Sequence, residues 1–385
     1  MESGLYKKQA PITIDVQLLL SITGIFWLIA KVASYKLWVT ERIFPTVPPF
    51  DFLSAIPSIV HWLLLLLSIS LLLFLIIKPL NKTLQVSLLV TELSSCLLDQ
   101  NRWQPWEYLY LFVLLIFILN KNKPSIIATC FIIILATVYF YSGLHKFNEG
   151  FVNNVWETLF LKRYLKIHGL PYQSHWLHFT GFIFPVIECL AGICLLFTKT
   201  KKIAAVTLIA MHLIILIVIG PLGIHYNKIV WPWNAAMIFY LYLIFIKGET
   251  NLPGLFILMD MRNKVILACW AILPAFNFIG LWDNYLSWNI YSSTLPNMLI
   301  CIKDTSTAKA LGSFVNSTDN QKICNGNALL NIQRWAMKEM SVPPYPEERV
   351  YEKIKKHWTR NYPLSNATFI IYYYPFKPGL SPYEK

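Results

Sequence analysis

A histidine and a lysine stand side by side where a long apolar segment ends. Residues 126–144 are apolar enough to span a bilayer, and His145 and Lys146 follow them directly. On a helix, Tyr139, Gly143 and Lys146 share one face, because they are spaced by four and then three residues. A lysine in this position either reaches the lipid headgroups with its flexible side chain or points into a cavity, where burial turns it into a base.

The segment Tyr139-Phe-Tyr-Ser-Gly-Leu-His-Lys146 resembles the part of vitamin K-dependent γ-glutamyl carboxylase that carries its catalytic lysine. It also resembles the related HTTM (horizontally transferred transmembrane) proteins. In the carboxylase two lysines are adjacent and the second is the base; Lys146 matches the second and His145 the first. The resemblance implies that Lys146 deprotonates a quinol of the menaquinol or vitamin K type at the outer membrane face.

Three further ionisable residues lie deep within apolar segments, namely Glu92, Glu188 and His212. A charged side chain at the bilayer centre costs about 2.5–3.5 kcal/mol, so such residues normally face the interior of a helix bundle. Each lies near the middle of its own segment, which predicts a similar depth for all three. Two acids and a histidine at one level could form a proton relay, and these three residues are candidate catalytic residues together with Lys146 and His145. The alternative is that each forms one hydrogen bond with a neighbouring helix.

Two similar phrases, Gln104-Pro-Trp-Glu-Tyr108 and Trp231-Pro-Trp-Asn-Ala235, each predict the start of a helix. Proline suits the first helical turn, and tryptophan suits the membrane interface. Alternatively, the positive ends of these two helices face an outer cavity and favour an anionic group there. The residues that we expect to bind a cofactor are Tyr139, Arg102, Trp106, Trp233 and Asn234.

These residues must be positioned by a strongly apolar chain. Of its 385 residues, 56% are hydrophobic and 14% are charged, and the mean hydropathy is +0.50. Such values are typical of polytopic membrane proteins. Recurring apolar windows predict an all-α bundle of about nine transmembrane helices. The predicted spans are residues 12–33, 57–77, 83–98, 105–120, 124–144, 176–197, 203–221, 230–246 and 264–281.

The distribution of basic residues predicts the orientation. With a cytoplasmic N-terminus, the inner loops carry twelve Lys and Arg and the outer loops nine, of which four lie in the suspected site loop 145–175. We therefore expect an integral protein of the plasma (inner) membrane whose C-terminal part is extracytoplasmic. The loop 151–168 reads as an amphipathic helix in the interface, a lid for a lipid-soluble molecule that enters sideways.

The composition divides the chain into a transmembrane domain, residues 1–289, and a polar cap, residues 290–385. Helices around 328–340 and 347–360 and a strand around 369–374 predict a small α+β cap. An extracytoplasmic cap favours a disulfide between its two cysteines, Cys301 and Cys324. The cap is much smaller than the lumenal region of the animal carboxylase, so the resemblance implies a quinol-linked reaction and not protein carboxylation itself.

Several classes of partner are excluded by the sequence. The net charge of +13 is not organised as a Lys/Arg stripe with interleaved aromatic residues, so nucleic acid is not expected. The seven cysteines include no Cys-x-x-Cys pair. His168, His175 and His178 have no carboxylate at helical spacing, so no metal is expected either.

Three functions remain open. The first is a carboxylase/HTTM-type enzyme of quinol-linked base chemistry, and the second is a DoxX-like quinone-linked oxidoreductase. The third is a non-enzymatic subunit of a cell-envelope assembly, whose cap docks another protein. The expected partners are the bilayer and a lipid-soluble small molecule, with an envelope protein in the third case. A transporter is disfavoured because the chain shows no paired helices interrupted by Gly or Pro.

Overall fold

The protein is an integral membrane helix bundle with a small cap. The computed structural model describes residues 14–167, 175–248, 259–316, 323–363 and 366–373. The helices of the membrane domain are α1 (Val16–Ala33), α2 (Ser58–Ile77), α3 (Lys82–Leu97), α4 (Pro105–Leu119), α5 (Pro124–His145), α6 (Val152–Tyr164), α7 (Trp176–Cys194), α8 (Lys201–Ile219), α9 (Val230–Lys247) and α10 (Met261–Ile272). Within the described ranges, six of them are long and apolar enough to cross a membrane: α1, α2, α5, α7, α8 and α9.

The prediction of nine transmembrane helices is not confirmed, because three of the predicted spans form shorter helices. Helices α3, α4 and α10 have 16, 15 and 12 residues. At a rise of about 1.5 Å per residue they are roughly 18–24 Å long, whereas the hydrocarbon core is about 30 Å thick. Helix α10 continues as a 3-10 helix, Leu273–Ile279, around Pro274. Helix α3 packs against α2 and α4, and α10 packs against α5.

Helix α5 is the centre of the bundle, because 83% of its apolar 18-residue stretch is buried. It crosses α7 at a distance that only glycine permits. A Cβ at Gly143 would lie 2.6 Å from the backbone N of Cys189, and a Cβ at Gly192 would lie 2.8 Å from the backbone N of Phe140. This close approach brings the middle of α7, and with it Glu188, next to the end of α5.

The two predicted helix starts are confirmed. Pro105 is the first residue of α4, and Pro232 lies in the first turn of α9. Proline fits there because the first backbone N–H groups of a helix have no partner within the helix.

Within the segment 151–168, for which the sequence predicts an amphipathic helix, residues 152–164 form α6, which is wound as a π-helix. Its wider turns are held against the beginning of α7 by His178. The Nδ1 atom of His178 lies 2.8 Å from Oε1 of Glu157, and its Nε2 atom lies 2.9 Å from Oε2 of Glu149. Trp156 packs on Gly181, where a Cβ would lie 2.7 Å from the indole ring.

The cap contains a four-stranded antiparallel sheet in the order β2-β3-β1-β4. Its elements are β1 (Asn297–Ile302), α11 (Thr305–Leu311), β2 (Val315–Asn316), β3 (Ala328–Asn331), α12 (Ile332–Met340), α13 (Glu348–Asn361) and β4 (Thr368–Tyr372). The prediction of a helix from residue 328 was wrong for four residues, which pair with β1 as β3 before α12 begins. Tyr374, the end of the predicted strand, lies outside the described residues. The Cys301–Cys324 disulfide is confirmed.

The cap sits on one end of the bundle, which we call the cap side. The carboxylate of Glu339 accepts a hydrogen bond from the backbone N of Phe44, which follows α1 (2.8 Å). Asn227, which follows α8, donates to the hydroxyl of Tyr291 (3.0 Å). The start of α4 is on the cap side as well, because Gln104 donates to the carbonyl of Pro343 (3.1 Å). The following helix α5 runs back and therefore ends on the cap side.

Candidate functional site

A cavity of about 540 Å³ lies between helices α5, α6, α7, α8 and α9. Most of its wall is apolar, and Trp156 and Phe160 of α6 contribute aromatic rings. Ile290 and Tyr291 line it near the cap. Six of the residues singled out in the sequence line this one cavity, namely Tyr139, Lys146, Glu188, His212, Trp233 and Asn234.

Lys146 turns back into the cavity and forms an ion pair there. Its Nζ atom lies 2.6 Å from Oε2 of Glu188 and 2.9 Å from Oγ of Ser142. Ser142 stands four residues before Lys146 and shares its helical face, whereas Glu188 belongs to α7. The side chains of Lys146 and Glu188 are 12% and 7% exposed. Opposite charges in contact reduce the cost of placing either one in an apolar wall.

Tyr139, His212 and Asn234 form a hydrogen-bonded chain on the same wall. The Tyr139 hydroxyl lies 2.7 Å from Nε2 of His212, and Nδ1 of His212 lies 2.6 Å from Oδ1 of Asn234. Because Nδ2 of Asn234 donates to the carbonyl of Val230 (2.7 Å), its Oδ1 is the acceptor and His212 Nδ1 carries the hydrogen. In the neutral imidazole, Nε2 then accepts the hydroxyl hydrogen of Tyr139.

These two groups, the Lys146–Glu188 pair and the Tyr139–His212–Asn234 chain, are called the cavity cluster below. It can do acid–base chemistry, because it presents an ammonium, a carboxylate, a phenol and an imidazole to one cavity. Glu188 and His212, both candidate catalytic residues, thus line the same cavity as Lys146.

Glu92 lies elsewhere. Its Oε2 atom is 2.5 Å from Nζ of Lys31 on α1, and its other oxygen accepts a hydrogen bond from Ser68 on α2. The ammonium of Lys31 also lies 3.3 Å from the centre of the Trp38 ring. Glu92 and Lys31 are fully buried, and neither lines the cavity. The expected relay of Glu92, Glu188 and His212 is thus not formed.

Arg102 and Trp106 belong to the surroundings of Glu92 and not to the cavity. The guanidinium of Arg102 donates to the carbonyl of Trp38 (2.7 Å) and contacts Nδ1 of His61 (2.8 Å). Burial lowers the pKa of Arg102 to about 10. Trp106 packs edge-on against Trp38, with ring centres 6.1 Å apart. We call Lys31, Ser68, Glu92, His61 and Arg102 the closed cluster.

His145 also points away from the cavity. Its ring is buried and stacks on Phe278, with centres 4.5 Å apart and planes 11° from parallel. His145 precedes Lys146 in the sequence, but it does not line the cavity as Lys146 does. Of the other histidines considered, His168 lies outside the described residues, and His178 is engaged by the two carboxylates described above.

Three contributors were missed at the sequence level. Ser142 could have been found, because it stands one helical turn before Lys146 on the same face. Lys31 was counted among the outer-loop cations, although it lies within an apolar segment, where a charge usually has a buried partner. Trp156 gave no signal, because an interfacial tryptophan and a cavity-lining one look alike in sequence.

A comparison with family models matched residues 123–229 to the methylamine utilisation protein MauE. The match covers just over a quarter of the chain, from the start of α5 to the start of α9. The resemblance to the carboxylase and HTTM proteins was therefore wrong. It depended on a short motif whose glycine, Gly143, is explained by the contact with α7. No curated protein and no solved structure matches the chain.

Proposed function

We propose that the protein binds a lipid-soluble ring compound with exchangeable hydroxyl protons, of the menaquinol or vitamin K type, and exchanges protons with it. The observation that carries this proposal is that the Lys146–Glu188 and Tyr139–His212 pairs face one mostly apolar cavity within the membrane domain. Ionisable groups inside a membrane are costly, and they commonly mark ligand sites or proton paths. The description of the matched family names a process, methylamine utilisation, and no ligand, so the ligand class is argued from the cavity.

Lys146 acts as a base after it passes a proton to Glu188. Across the 2.6 Å contact, an N–H bond of the ammonium breaks and an O–H bond forms on the carboxylate. The resulting amine and carboxylic acid are both neutral, which suits an apolar wall. The amine then accepts the proton of a ligand hydroxyl, and the ligand anion stays beside the ammonium that is formed. No electrons are transferred in this step.

The Tyr139–His212 pair is a second proton acceptor. A ligand hydroxyl donates its proton to the Tyr139 oxygen while the tyrosine hydrogen moves to Nε2 of His212. Oδ1 of Asn234 stabilises the imidazolium through its 2.6 Å contact with Nδ1. A quinol carries two hydroxyl groups, and two proton acceptors in one cavity match that number. The indoles of Trp156 and Trp233 offer flat apolar surfaces to its ring.

Lys146→Arg tests the base assignment, because arginine keeps the positive charge but does not deprotonate. The probe is menadiol, the tail-free quinol, added without oxygen, and the readout is the absorption spectrum that distinguishes a quinol from its anion. Because the Tyr139–His212 pair is a second acceptor, the change is made in His212→Gln, which removes the imidazole that takes the proton in that pair. We expect His212→Gln to hold menadiol as the anion and His212→Gln combined with Lys146→Arg to hold it protonated. Lys228→Arg in the same background, at an exposed cap-side lysine, should behave as His212→Gln alone. An anionic menadiol spectrum in the variant that combines His212→Gln with Lys146→Arg would remove the base assignment.

We also propose that the protein lies in the inner membrane with a cytoplasmic N-terminus and an extracytoplasmic cap. The disulfide between Cys301 and Cys324 supports this orientation, since disulfides persist in oxidising compartments. The distribution of basic loop residues supports it independently. A reporter that is active only outside the cytoplasm, fused after Lys385, should be active. Activity of a cytoplasm-only reporter at the same position would reverse the orientation.

A further inference from the structure

The half of the cavity that is remote from the cap is open to the membrane along α8. Val206, Ala210 and Ile214 follow one another at four-residue spacing, and all three line the cavity while being exposed. Val206 is 57% exposed and Ile214 46%, whereas Val218, one turn nearer the cap, lines the cavity but is 5% exposed. The opening therefore closes toward the cap side.

The other edge of the opening is on α7. Ile187 lines the cavity and is 38% exposed, and the next residue, Glu188, is buried on the inner wall. The gap thus lies between α7 and α8, and its rim is apolar on both helices. A rim of this kind admits hydrocarbon and offers nothing to a polar solute.

The cavity is also longer than a ring compound requires. Its lining on α8 runs from Val206 to Ile219, which is roughly 20 Å along a helix axis. The ionisable groups lie in the middle and toward the cap, where Lys146, Tyr139 and His212 face it. On the side of His212 that is remote from the cap, the residues of α8 that line the cavity are Met211, Ala210, Thr207 and Val206. The cavity is therefore polar toward the cap and nearly apolar at its other end.

Resting on the proposed function, we infer that the ligand carries one long apolar chain, which leaves the cavity between α7 and α8 and continues into the membrane. Ala210 sets the width of the gap, because it is the small residue between Val206 and Ile214 on the rim. The ring of the ligand lies against the cavity cluster, and the chain follows α8 away from the cap.

Ala210→Phe narrows the gap. Ligand binding is measured in detergent micelles by the quenching of tryptophan fluorescence, and phenylalanine is chosen because it adds no tryptophan to this signal. Two probes are compared in the absence of oxygen, menaquinol with its isoprenoid chain and menadiol, which has the same ring and no chain. We expect Ala210→Phe to bind menaquinol about tenfold more weakly or worse, because the chain loses its buried place. Menadiol should bind as it does to the wild type.

Leu213→Phe is the matched control, since Leu213 is an exposed residue of α8 that does not line the cavity. It should leave the affinity for both probes unchanged. The inference is overturned if Ala210→Phe binds both probes as the wild type does, or if it loses both to the same extent. If the wild type itself binds neither probe, the proposed function fails, which is a different result.

Discussion

In the described part of the chain, two lysine–glutamate pairs have nearly identical contact geometry and very different surroundings. Lys31 and Glu92 are 2.5 Å apart with side chains 1% and 0% exposed, and Lys146 and Glu188 are 2.6 Å apart with side chains 12% and 7% exposed. The first pair is enclosed by protein, and the second borders a cavity of about 540 Å³. A short ionic contact within a membrane protein is therefore not by itself a sign of a ligand site. Access to a cavity distinguishes the two.

The two pairs also connect different helices. The Lys31–Glu92 pair joins α1 to α3, and Ser68 adds α2 through its hydrogen bond to Glu92. It thus fastens α3, a helix that is short and polar for a membrane segment, to two long apolar ones. The Lys146–Glu188 pair joins α5 to α7 at a crossing that Gly143 and Gly192 already hold closely.

The family match follows the same division. It includes Tyr139, Lys146, Glu188 and His212 of the cavity cluster and no residue of the closed cluster. The matched segment therefore contains the Lys146–Glu188 and Tyr139–His212 pairs and the part of the cavity wall between residues 138 and 219. The closed cluster is explained by the assembly of α1, α2 and α3.

The largest effect on stability should come from breaking the closed pair. Glu92→Gln leaves the ammonium of Lys31 buried without a counter-charge, which should lower the free energy of unfolding by about 3–5 kcal/mol. Denaturant unfolding in micelles, followed by circular dichroism, measures this change. As a control, Lys31→Met combined with Glu92→Met removes both charges and should restore most of the loss. A loss below about 1 kcal/mol in Glu92→Gln would mean that the pair is not a structural fastener.

Much of the cavity cluster could be predicted from the sequence. The spacing of Tyr139 and Lys146 places them on one helical face, and the cost of intramembrane charge turns Glu188 and His212 inward. These arguments need only the spacing of residues along one helix and the depth of a residue in the membrane. Both can be read from the sequence.

The remaining assignments required the lateral arrangement of the helices. Glu92 and Glu188 are both central in their segments, yet depth does not tell which helices are neighbours, and the two carboxylates belong to different clusters. His145 was placed beside Lys146 because it precedes it, but consecutive residues on a helix point about 100° apart. Arg102 and Trp106 have the composition of a ligand site and instead contact Trp38.

The helix count shows the same limit in another form. Apolar windows identified nine of the ten described helices of the membrane domain, all except α6. Helix α4, however, is as apolar as its neighbours and has only 15 residues. Hydropathy measures composition along the chain, whereas the end of a helix is decided by caps and by the turn that follows it. Composition alone therefore could not distinguish the six helices that are long enough to cross a membrane from the three shorter ones.

The central claim, that the cavity pair and not the closed pair binds the ligand, is tested most directly by one titration. Menadiol is added in the absence of oxygen to the wild type, Glu188→Gln and Glu92→Gln in micelles, at a temperature where circular dichroism shows each to be folded. Quenching of tryptophan fluorescence gives the affinity. Trp156 and Trp233 line the cavity and report on its occupancy. If Glu92→Gln does not fold, the Lys31→Met, Glu92→Met protein takes its place. We predict that Glu188→Gln weakens binding about tenfold or more, while the variant of the closed pair stays within about twofold of the wild type. Equal affinity of Glu188→Gln and wild type, or an equal loss in both variants, would contradict the claim.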